Sequence, residues 1–323
     1  MKKVDYPDGI EDEYLQIFSD DELRTLQQDW DSKRSLYQNK LKPFPSGVKE
    51  ILVADFEKLT EYFIAFKGIS PAITTTKSIV TKNEIFNYEH YHRKIADFFI
   101  DHSSEMGITS CFYCDIHPIG KFLKTKDDRR RSFDIDHFYP QSECPILALS
   151  LKNFVPSCQV CNSRVKGKTS LFNFYKIQNL DDNEKKTTLC KISPTSKNYN
   201  FDDNVFIRVL PKIGFDTKIS FLKNMNSYEI KFDSTDTYKH EIDAFYLDQR
   251  YDSVTVLSEA LSLLDLKKKF PLTKMKEIQV LLNSSLNGKS YISLEEIEET
   301  IFRKNFDINR MTTLLKLKKD ILE

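Results

Sequence analysis

Two Cys-x-x-Cys pairs constrain this chain more than any other feature of its sequence. The pairs are Cys111/Cys114 and Cys158/Cys161, and the segment between them contains the string Phe-Asp-Ile-Asp-His at residues 133–137. Four thiolates supplied by two such pairs normally enclose a tetrahedral Zn²⁺ that has no open coordination position. The spacing therefore predicts a structural zinc site, and such a site contributes on the order of 10 kcal/mol to folding.

The composition favours a folded, helix-rich protein with reduced cysteines. Of 323 residues, 40% are hydrophobic and 8 are glycine, which is enough apolar sequence for two or three compact units. In a reducing compartment the two cysteine pairs indicate a metal site and not disulfides. Cys144 and Cys190 are predicted to be ordinary free thiols. Four unrelated thiols or a redox-active pair are the alternatives, and no βαβ pattern supports the latter.

The segment from residue 111 to residue 170 resembles an HNH nuclease module of the zinc-containing, ββα-metal kind. The resemblance rests on the pair Asp136-His137, on Asn153, and on Asn162 followed by Lys166-Gly167-Lys168. The string FDIDHFYPQS is especially similar to the HNH domain of CRISPR effector nucleases. More distantly, an HNH component beside helical sequence is similar to the nuclease partner of the ATPase in Septu-type and retron-linked anti-phage systems.

Within this module the sequence predicts two strands followed by a helix. The first strand covers residues 133–137, the second residues 153–156, and the helix residues 159–165. Alternation along the first strand puts Asp134 and Asp136 on one face, with His137 on the opposite, solvent side. The helix is expected to carry Asn162 back over the strands.

The resemblance implies a catalytic site built on Asp136, His137, Asn153 and Asn162. Asp136 and Asn162 are expected to hold one Mg²⁺ or Mn²⁺, because both supply oxygen ligands. Many family members have His where this chain has Asn162, and an imidazole there would suit Zn²⁺ or Ni²⁺. His137 is expected to act as the general base without touching the metal. Asn153 is a supporting residue in similar modules, where it braces the loop that presents the histidine.

Basic residues after the second cysteine pair are candidates for phosphate contacts. They are Arg164, Lys166 and Lys168. The whole chain has 48 basic and 48 acidic residues, so it has no overall electrostatic attraction for nucleic acid. Residues 111–170 contain ten basic and six acidic residues, whereas residues 1–31 contain ten acidic and three basic ones. Affinity for nucleic acid is therefore predicted to be local to the module.

These observations predict a metal-dependent endonuclease that hydrolyses DNA. An RNase that uses the same site is one alternative, since the sequence shows no reader of the 2′-hydroxyl. A catalytically inactive, zinc-stapled interaction module is another. The net charge of zero suggests that recognition is shared with a protein partner, and the resemblance to defence systems implies that this partner is an ATPase. No apolar signal region or membrane-spanning run occurs, so a cytoplasmic protein is expected.

The predicted fold class is α+β and mainly α, with the ββα-metal module inside a helical protein and a small β-meander after it. The expected regions are 1–107 (helical), 108–175 (HNH module), 176–235 (connector and meander) and 236–323 (helical). Helices are predicted over 20–42, 48–66, 83–102, 240–270, 272–286, 294–303 and 308–322, and strands of the meander over 205–210, 218–222 and 228–232. The amphipathic helices at 48–66, 240–270 and 308–322 are expected to pack into the protein's own core, or partly to dock a partner. His90 and His92 point to different helix faces, which argues against a shared metal.

Overall fold

The computed structural model describes residues 1–69, 80–125, 128–167, 177–212, 227–285, 291–302 and 313–322. The α-helices are α1 (Ile10–Leu15), α2 (Asp20–Leu36), α3 (Gln38–Leu41), α4 (Val48–Leu52), α5 (Phe56–Ile69), α6 (Tyr88–Asp101), α7 (Asp182–Ile192), α8 (Phe201–Asn204), α9 (Asp236–Ala244), α10 (Leu247–Tyr251), α11 (Val254–Lys269), α12 (Leu272–Ser285), α13 (Leu294–Phe302) and α14 (Leu315–Leu322). The strands are β1 (Lys121–Thr125), β2 (Asp128–Arg131), β3 (Asp134–His137), β4 (Phe154–Ser157), β5 (Val205–Pro211) and β6 (Tyr228–Ser234).

The strands form two-stranded antiparallel sheets, in the pairs β1–β2, β3–β4 and β5–β6. Because helices make up most of the rest of the described chain, the predicted α+β class with a helical majority is confirmed. None of the described helices is both long enough and apolar enough to cross a membrane.

Helix α2 begins at a capping box that is visible in the sequence. The Ser19 hydroxyl accepts from the Glu22 amide at 3.2 Å, and the Glu22 carboxylate accepts from the Ser19 amide at 2.7 Å. The helix predicted to reach about Lys42 is divided, because Tyr37 leaves the helical region with φ −125° and ψ 37°. A separate short helix, α3, follows.

The single helix predicted over residues 48–66 is interrupted between α4 and α5. Asp55 lies in the interruption. Its backbone carbonyl accepts from the Leu59 amide at 3.0 Å at the start of α5, while its carboxylate accepts from Lys152 Nζ at 2.6 Å. Helix α4 thus ends where Val53 leaves the helical region, with φ −115° and ψ 14°, and Asp55 after it binds a residue far along the chain that a local helical pattern does not reveal.

Helix α5 packs an aromatic face against the segment that follows β3. The Phe63 and Tyr139 rings stack with centroids 4.2 Å apart, and Phe56 stacks on Tyr139 at 5.4 Å. The Tyr139 hydroxyl is hydrogen-bonded to Thr60 Oγ1 at 2.8 Å. Buried residues on both sides of the predicted boundary at residue 107 thus belong to one hydrophobic cluster.

The helix predicted over residues 83–102 begins later, at Tyr88. Asn83 adopts a left-handed conformation with φ 64°, and the Asn87 side chain caps α6 by accepting from the His90 amide at 3.3 Å. The late start places Tyr88 in the first turn of the helix, where its ring meets the end of β3.

The region predicted as one helix over residues 240–270 consists of α9, α10 and α11. Tyr246, between α9 and α10, adopts a left-handed conformation with φ 51°, and Ser253 is the N-cap residue of α11. Most apolar residues of these helices and of α14 lie in or against the protein's own core, whereas Val254 of α11 is exposed. The same core contains Phe56, Leu59 and Phe63 of α5. Packing into that core was the first of the two expectations for the amphipathic helices.

Strands β5 and β6 are the described part of the predicted meander. They pair from Val205↔Ser234 to Pro211↔Tyr228, whereas the strand predicted over 218–222 lies outside the described residues. Helix α14 lies against β5, and its Asp320 carboxylate accepts a hydrogen bond from the Ile207 amide of that strand at 2.7 Å.

Candidate metal centre and active site

The four predicted zinc ligands converge in one buried cluster. The sulfur atoms of Cys111, Cys114, Cys158 and Cys161 all lie within 4.8 Å of one another. Among the described residues, no other group of three or more His, Cys, Asp or Glu side chains is arranged to hold a metal ion. A buried, closed set of four thiols fits a structural metal such as zinc.

The cysteine cluster combines ionisable sulfur with a nearby fixed positive charge. Hydrogen bonding, above all with Cys111, lowers the pKa of Cys114 to about 6, while burial raises the pKa of Cys111. Arg250 Nη1 donates to Cys161 Sγ at 3.2 Å. Burial opposes the guanidinium charge, but the neighbouring Cys161 raises the pKa of Arg250 on balance. Such an outer partner suits a metal–thiolate complex, whose net charge is negative.

The strands β3 and β4 and the helix after them lie directly beside this cluster. Asp136 pairs with Val155 and His137 with Phe154 across the two strands. A π-helix, Val160–Lys166, follows β4 and carries Cys161. Asn162 Nδ2 from this helix donates to the Asp134 carboxylate at 3.1 Å, so the helix returns to β3 as the sequence predicts.

Asp136 and Asn162 have different hydrogen-bond partners in this structure, so their shared ligation of a metal stays a prediction. The Asp136 carboxylate is 6% exposed, and it accepts from Lys166 Nζ at 2.9 and 2.7 Å and from the Tyr113 hydroxyl at 2.7 Å. Asn162 instead contacts Asp134. The buried carboxylate is therefore already neutralised by an ammonium.

Lys166 is not at the surface, where a phosphate contact would need it. Its side chain is 2% exposed, and besides Asp136 its Nζ donates to the His137 carbonyl at 2.7 Å. The prediction for Lys166 as a phosphate contact is wrong for this arrangement, because its charge is used inside the protein. Arg164 is exposed, and Lys168 lies outside the described residues.

The His137 ring is buried, not on the solvent side of the strand as predicted. Its Nε2 lies 2.9 Å from the Ala148 carbonyl oxygen, and the rings of Tyr88 and Phe154 meet it edge-on at 4.6 and 5.0 Å. Burial lowers the pKa of His137 to about 4. The imidazole is therefore neutral at physiological pH.

Asn153 is fully buried and joins the two ends of the segment after β3. Its Oδ1 accepts from the Tyr139 amide at 2.8 Å, and its Nδ2 donates to the carbonyls of Tyr139 and Leu147 at 3.1 and 3.0 Å. The Ala148 carbonyl that binds His137 follows Leu147 immediately. Asn153 thus holds the segment that orients the imidazole.

Tyr113 is the contact that the sequence did not reveal. It lies between the two cysteines of the first pair, and its hydroxyl donates to Asp136 while its ring stacks on Phe245 at 4.5 Å. The only signal in the sequence was a tyrosine inside a Cys-x-x-Cys pair. The residue physically connects the cysteine cluster to the carboxylate of the candidate active site.

His92 and the two cysteines outside the cluster have local structural surroundings. His92 Nδ1 lies 2.7 Å from the Glu89 carbonyl oxygen. Cys144 and Cys190 are buried free thiols.

No family model, curated protein or solved structure matches the chain. The functional assignment therefore depends on the quoted sequence resemblance and on the geometry of this site.

Proposed function

We propose that the chain is a metal-dependent endonuclease of the HNH class that hydrolyses phosphodiester bonds in DNA. One observation supports this best. Consecutive residues of β3 present a carboxylate, Asp136, towards the π-helix and a neutral imidazole, His137, towards the other side, within a unit anchored at the four cysteines. An acidic ligand beside a neutral base is the pair of groups that phosphodiester hydrolysis by one cation requires.

His137 is the proposed general base, and its hydrogen bond selects the tautomer. A carbonyl oxygen only accepts, so Nε2 donates its proton to Ala148 and Nδ1 keeps the lone pair. Because burial lowers the pKa of the ring, the unprotonated form is the resting form at neutral pH. Nδ1 can then take the proton of the attacking water, once the cover formed by Tyr88 shifts enough to admit that water.

The oxygen ligands near Asp136 fit a hard divalent cation such as Mg²⁺ or Mn²⁺. Asp134 and Asp136 carry carboxylates, and Asn162, whose amide nitrogen donates to Asp134, also carries an amide oxygen. Carboxylate and amide oxygens are the ligand types that such cations prefer. In the described arrangement the Lys166 ammonium takes the place of a cation on Asp136, so metal binding requires an exchange. When bound, the metal would neutralise charge on the phosphate and on the leaving 3′ oxygen.

The buried pair of Asp136 and Lys166 also favours a second candidate function. A carboxylate that is permanently neutralised inside the protein has no need of a metal, and the module would then be an inactive, zinc-stapled interaction unit. The two functions differ in one measurable property, which is whether a divalent cation can replace the ammonium.

The test is a cleavage assay on plasmid DNA and on a structured RNA, with and without Mg²⁺ or Mn²⁺. We expect metal-dependent cleavage of DNA that His137→Ala reduces by about two to four decades. His90→Ala is the matched control, since His90 is an exposed histidine of α6 that lies 3.9 Å from Glu22. Cleavage of RNA alone would assign an RNase, and no cleavage with either metal would favour the inactive module.

A place in an anti-phage complex with an ATPase partner is proposed from the resemblance alone. Purification of the intact chain from its native host, followed by identification of whatever co-purifies, tests this. Recovery of the chain without any partner would argue against a partner protein that recognises the substrate on its behalf.

A further inference from the structure

A basic cleft lies between helix α6 and strand β2. Its volume is about 590 Å³. Among the residues that line it there is one acidic side chain, Asp97, and the four arginines that we call the arginine cleft are Arg93, Arg129, Arg130 and Arg131. The sequence contained these arginines, but only the packing of β2 against α6 brings Arg93 to the other three.

Internal contacts neutralise only part of this positive charge. Arg129 forms an ion pair with Asp101 at the end of α6. Arg131 donates to the Phe133 carbonyl at 2.8 Å, which fixes the guanidinium without cancelling its charge. Arg93 is exposed on α6. The carbonyl contact thus leaves the charge of the Arg131 guanidinium uncancelled, and the exposed Arg93 adds a second positive charge to the cleft.

The hairpin that carries β2 adds a second, independent observation. Lys121 on β1 stands directly opposite Arg131 on β2, although like charges in opposed positions destabilise a strand pair. All five residues of β1 are exposed, including Phe122 and Leu123 at 52% and 65%. A bound anion would remove the repulsion, and exposed apolar side chains on the same ribbon indicate a contact surface.

The arginine cleft adjoins the candidate active site. Phe133, whose carbonyl binds Arg131, immediately precedes β3 and its Asp134. Tyr88, which covers His137, lies within electrostatic reach of Arg131, Asp134 and Asp136. An anion held in the cleft would therefore run past the strand that carries the proposed catalytic residues.

We propose that the arginine cleft, together with Lys121 and Lys124 of the exposed hairpin, binds the sugar–phosphate backbone of a DNA duplex and directs one strand to β3. This inference rests on the proposed endonuclease function and names the surface that holds its substrate. Guanidinium groups match phosphate geometry through paired N–H donors. These contacts would set the position of the duplex without reading its sequence.

The distribution of charge favours a polyanion over a small anion. Basic residues extend from α6 across the cleft and along the outer strand, whereas one phosphate ion could use only a few of them. A duplex presents one negative charge per about 1.7 Å of its axis, so a row of cations on a strand pair can meet several phosphates. An acidic protein segment is the competing polyanion, and the experiment includes it.

The test measures binding in the cleavage-defective His137→Ala background by fluorescence anisotropy with a labelled 20-base-pair duplex. The variant is Arg93→Glu/Arg130→Glu. The control, Lys239→Glu/Lys276→Glu, makes the same change in net charge at exposed residues of α9 and α12. We expect the cleft variant to raise Kd on the order of tenfold or more, and to lower the slope of log Kd against log salt by about 1.8, because two phosphate contacts are lost.

A milder variant, Arg93→Gln/Arg130→Gln, keeps the test valid if charge reversal disturbs folding. It should show the same direction with a smaller rise in Kd and an unchanged melting temperature. An unchanged Kd and salt slope in both cleft variants, or an equal loss in the control, would overturn the proposal. Tighter binding of poly-glutamate or of duplex RNA than of the DNA duplex would overturn the choice of partner.

The outcome is separable from that of the proposed function. If the chain binds DNA through the arginine cleft but cleaves nothing, the endonuclease proposal fails and the binding surface stands. If the chain cleaves DNA and neither cleft variant changes Kd or salt slope, the endonuclease proposal stands and the binding surface is wrong.

Discussion

The cysteine cluster and the Asp136 site are neighbouring buried clusters of ionisable groups that differ in what compensates their negative charge. Among the four cysteines, Cys161 accepts a hydrogen bond from Arg250, and the cluster as a whole could hold a structural metal such as zinc. Asp136 is neutralised by Lys166 from its own chain. The first cluster has the ligand set of a metal site, whereas the second already contains an internal ion pair.

The type of a side chain therefore predicts metal binding well only where no lysine or arginine of the same chain can bind the same group. Thiolate groups of two cysteine pairs have few partners in a protein other than a metal ion, so the Cys-x-x-Cys pattern by itself predicts a metal site. A carboxylate has many possible partners, and the lysine that binds Asp136 lies 30 residues away.

Loss of one zinc ligand should have the largest effect. Cys161→Ser is expected to abolish zinc binding and to lower stability by several kcal/mol, out of the roughly 10 kcal/mol that structural zinc can supply. Elemental analysis should give about one zinc per chain for the unaltered protein and almost none for the variant. Cys190→Ser, at a buried cysteine outside the cluster, should keep the metal. An unaltered protein without zinc, with an unchanged melting temperature after chelation, would refute the structural role.

Removal of the internal cation should convert the Asp136 site into one that needs a metal. Lys166→Met leaves the carboxylate buried without its ammonium, which costs about 3–5 kcal/mol, and added Mg²⁺ or Mn²⁺ should restore stability. The control is Lys186→Met, whose partner Glu61 is partly exposed, so that its loss should cost less than about 1 kcal/mol.

Thermal unfolding with and without Mg²⁺ measures both effects. Strong destabilisation that Mg²⁺ does not relieve would show that Asp136 holds no divalent cation and would favour the inactive module. A fully stable Lys166→Met variant would contradict the buried ion pair itself.

The hydroxyl that connects the two clusters should have an intermediate effect. Tyr113→Phe removes a hydrogen bond to a charged acceptor, at a cost of about 1.5–3 kcal/mol, but it leaves all four cysteines in place. Urea unfolding should show this loss while elemental analysis shows normal zinc content. Tyr246→Phe, at a residue that is 53% exposed, provides a control with little effect. Loss of zinc from Tyr113→Phe would mean that the two clusters are not separable.

The pH dependence of cleavage should show the smallest effect. His137 acts as a base only when neutral, and burial lowers its pKa to about 4. The fraction of neutral His137 therefore stays near one as pH falls from about 8 to about 5.5. The cleavage rate should fall only as pH approaches the His137 pKa of about 4. A histidine with the ordinary pKa of about 6.5 would already have lost about tenfold at pH 5.5. An acidic limb of kcat/KM near pH 6.5 would show that the ring is solvated during the reaction.

Local features of the fold were predictable because their causes are local. The sequence pattern of a capping box, Ser followed three residues later by Glu, occurs at Ser19 and again at Ser293. Both capping boxes are present in the structure. Strands β3 and β4 lie within one residue of the predicted ranges. The breaks at Asp55 and Tyr246 were not predictable, because they depend on contacts and backbone conformations that the helical pattern does not encode.

In the candidate site, too, the features with local causes were predictable and those that depend on distant contacts were not. The sequence identified the four cysteines, the Asp-His pair on a strand and Asn162 on the returning helix. It also correctly separated Asp136 from His137, because alternation along a strand is a property of the backbone. It could not show that Lys166 points inward to Asp136, since the same lysine in a basic stretch is equally compatible with an exposed phosphate contact.

The four-cysteine cluster, the helical majority and the opposed faces of Asp136 and His137 could be predicted from the sequence. The tertiary structure alone decided which cation neutralises Asp136, how deeply His137 is buried beneath Tyr88, and which arginines gather beside α6. The physical reason is that burial and ion pairing depend on distances between residues far apart in the chain. Ligand chemistry and strand alternation depend only on the residues themselves and on their nearest neighbours.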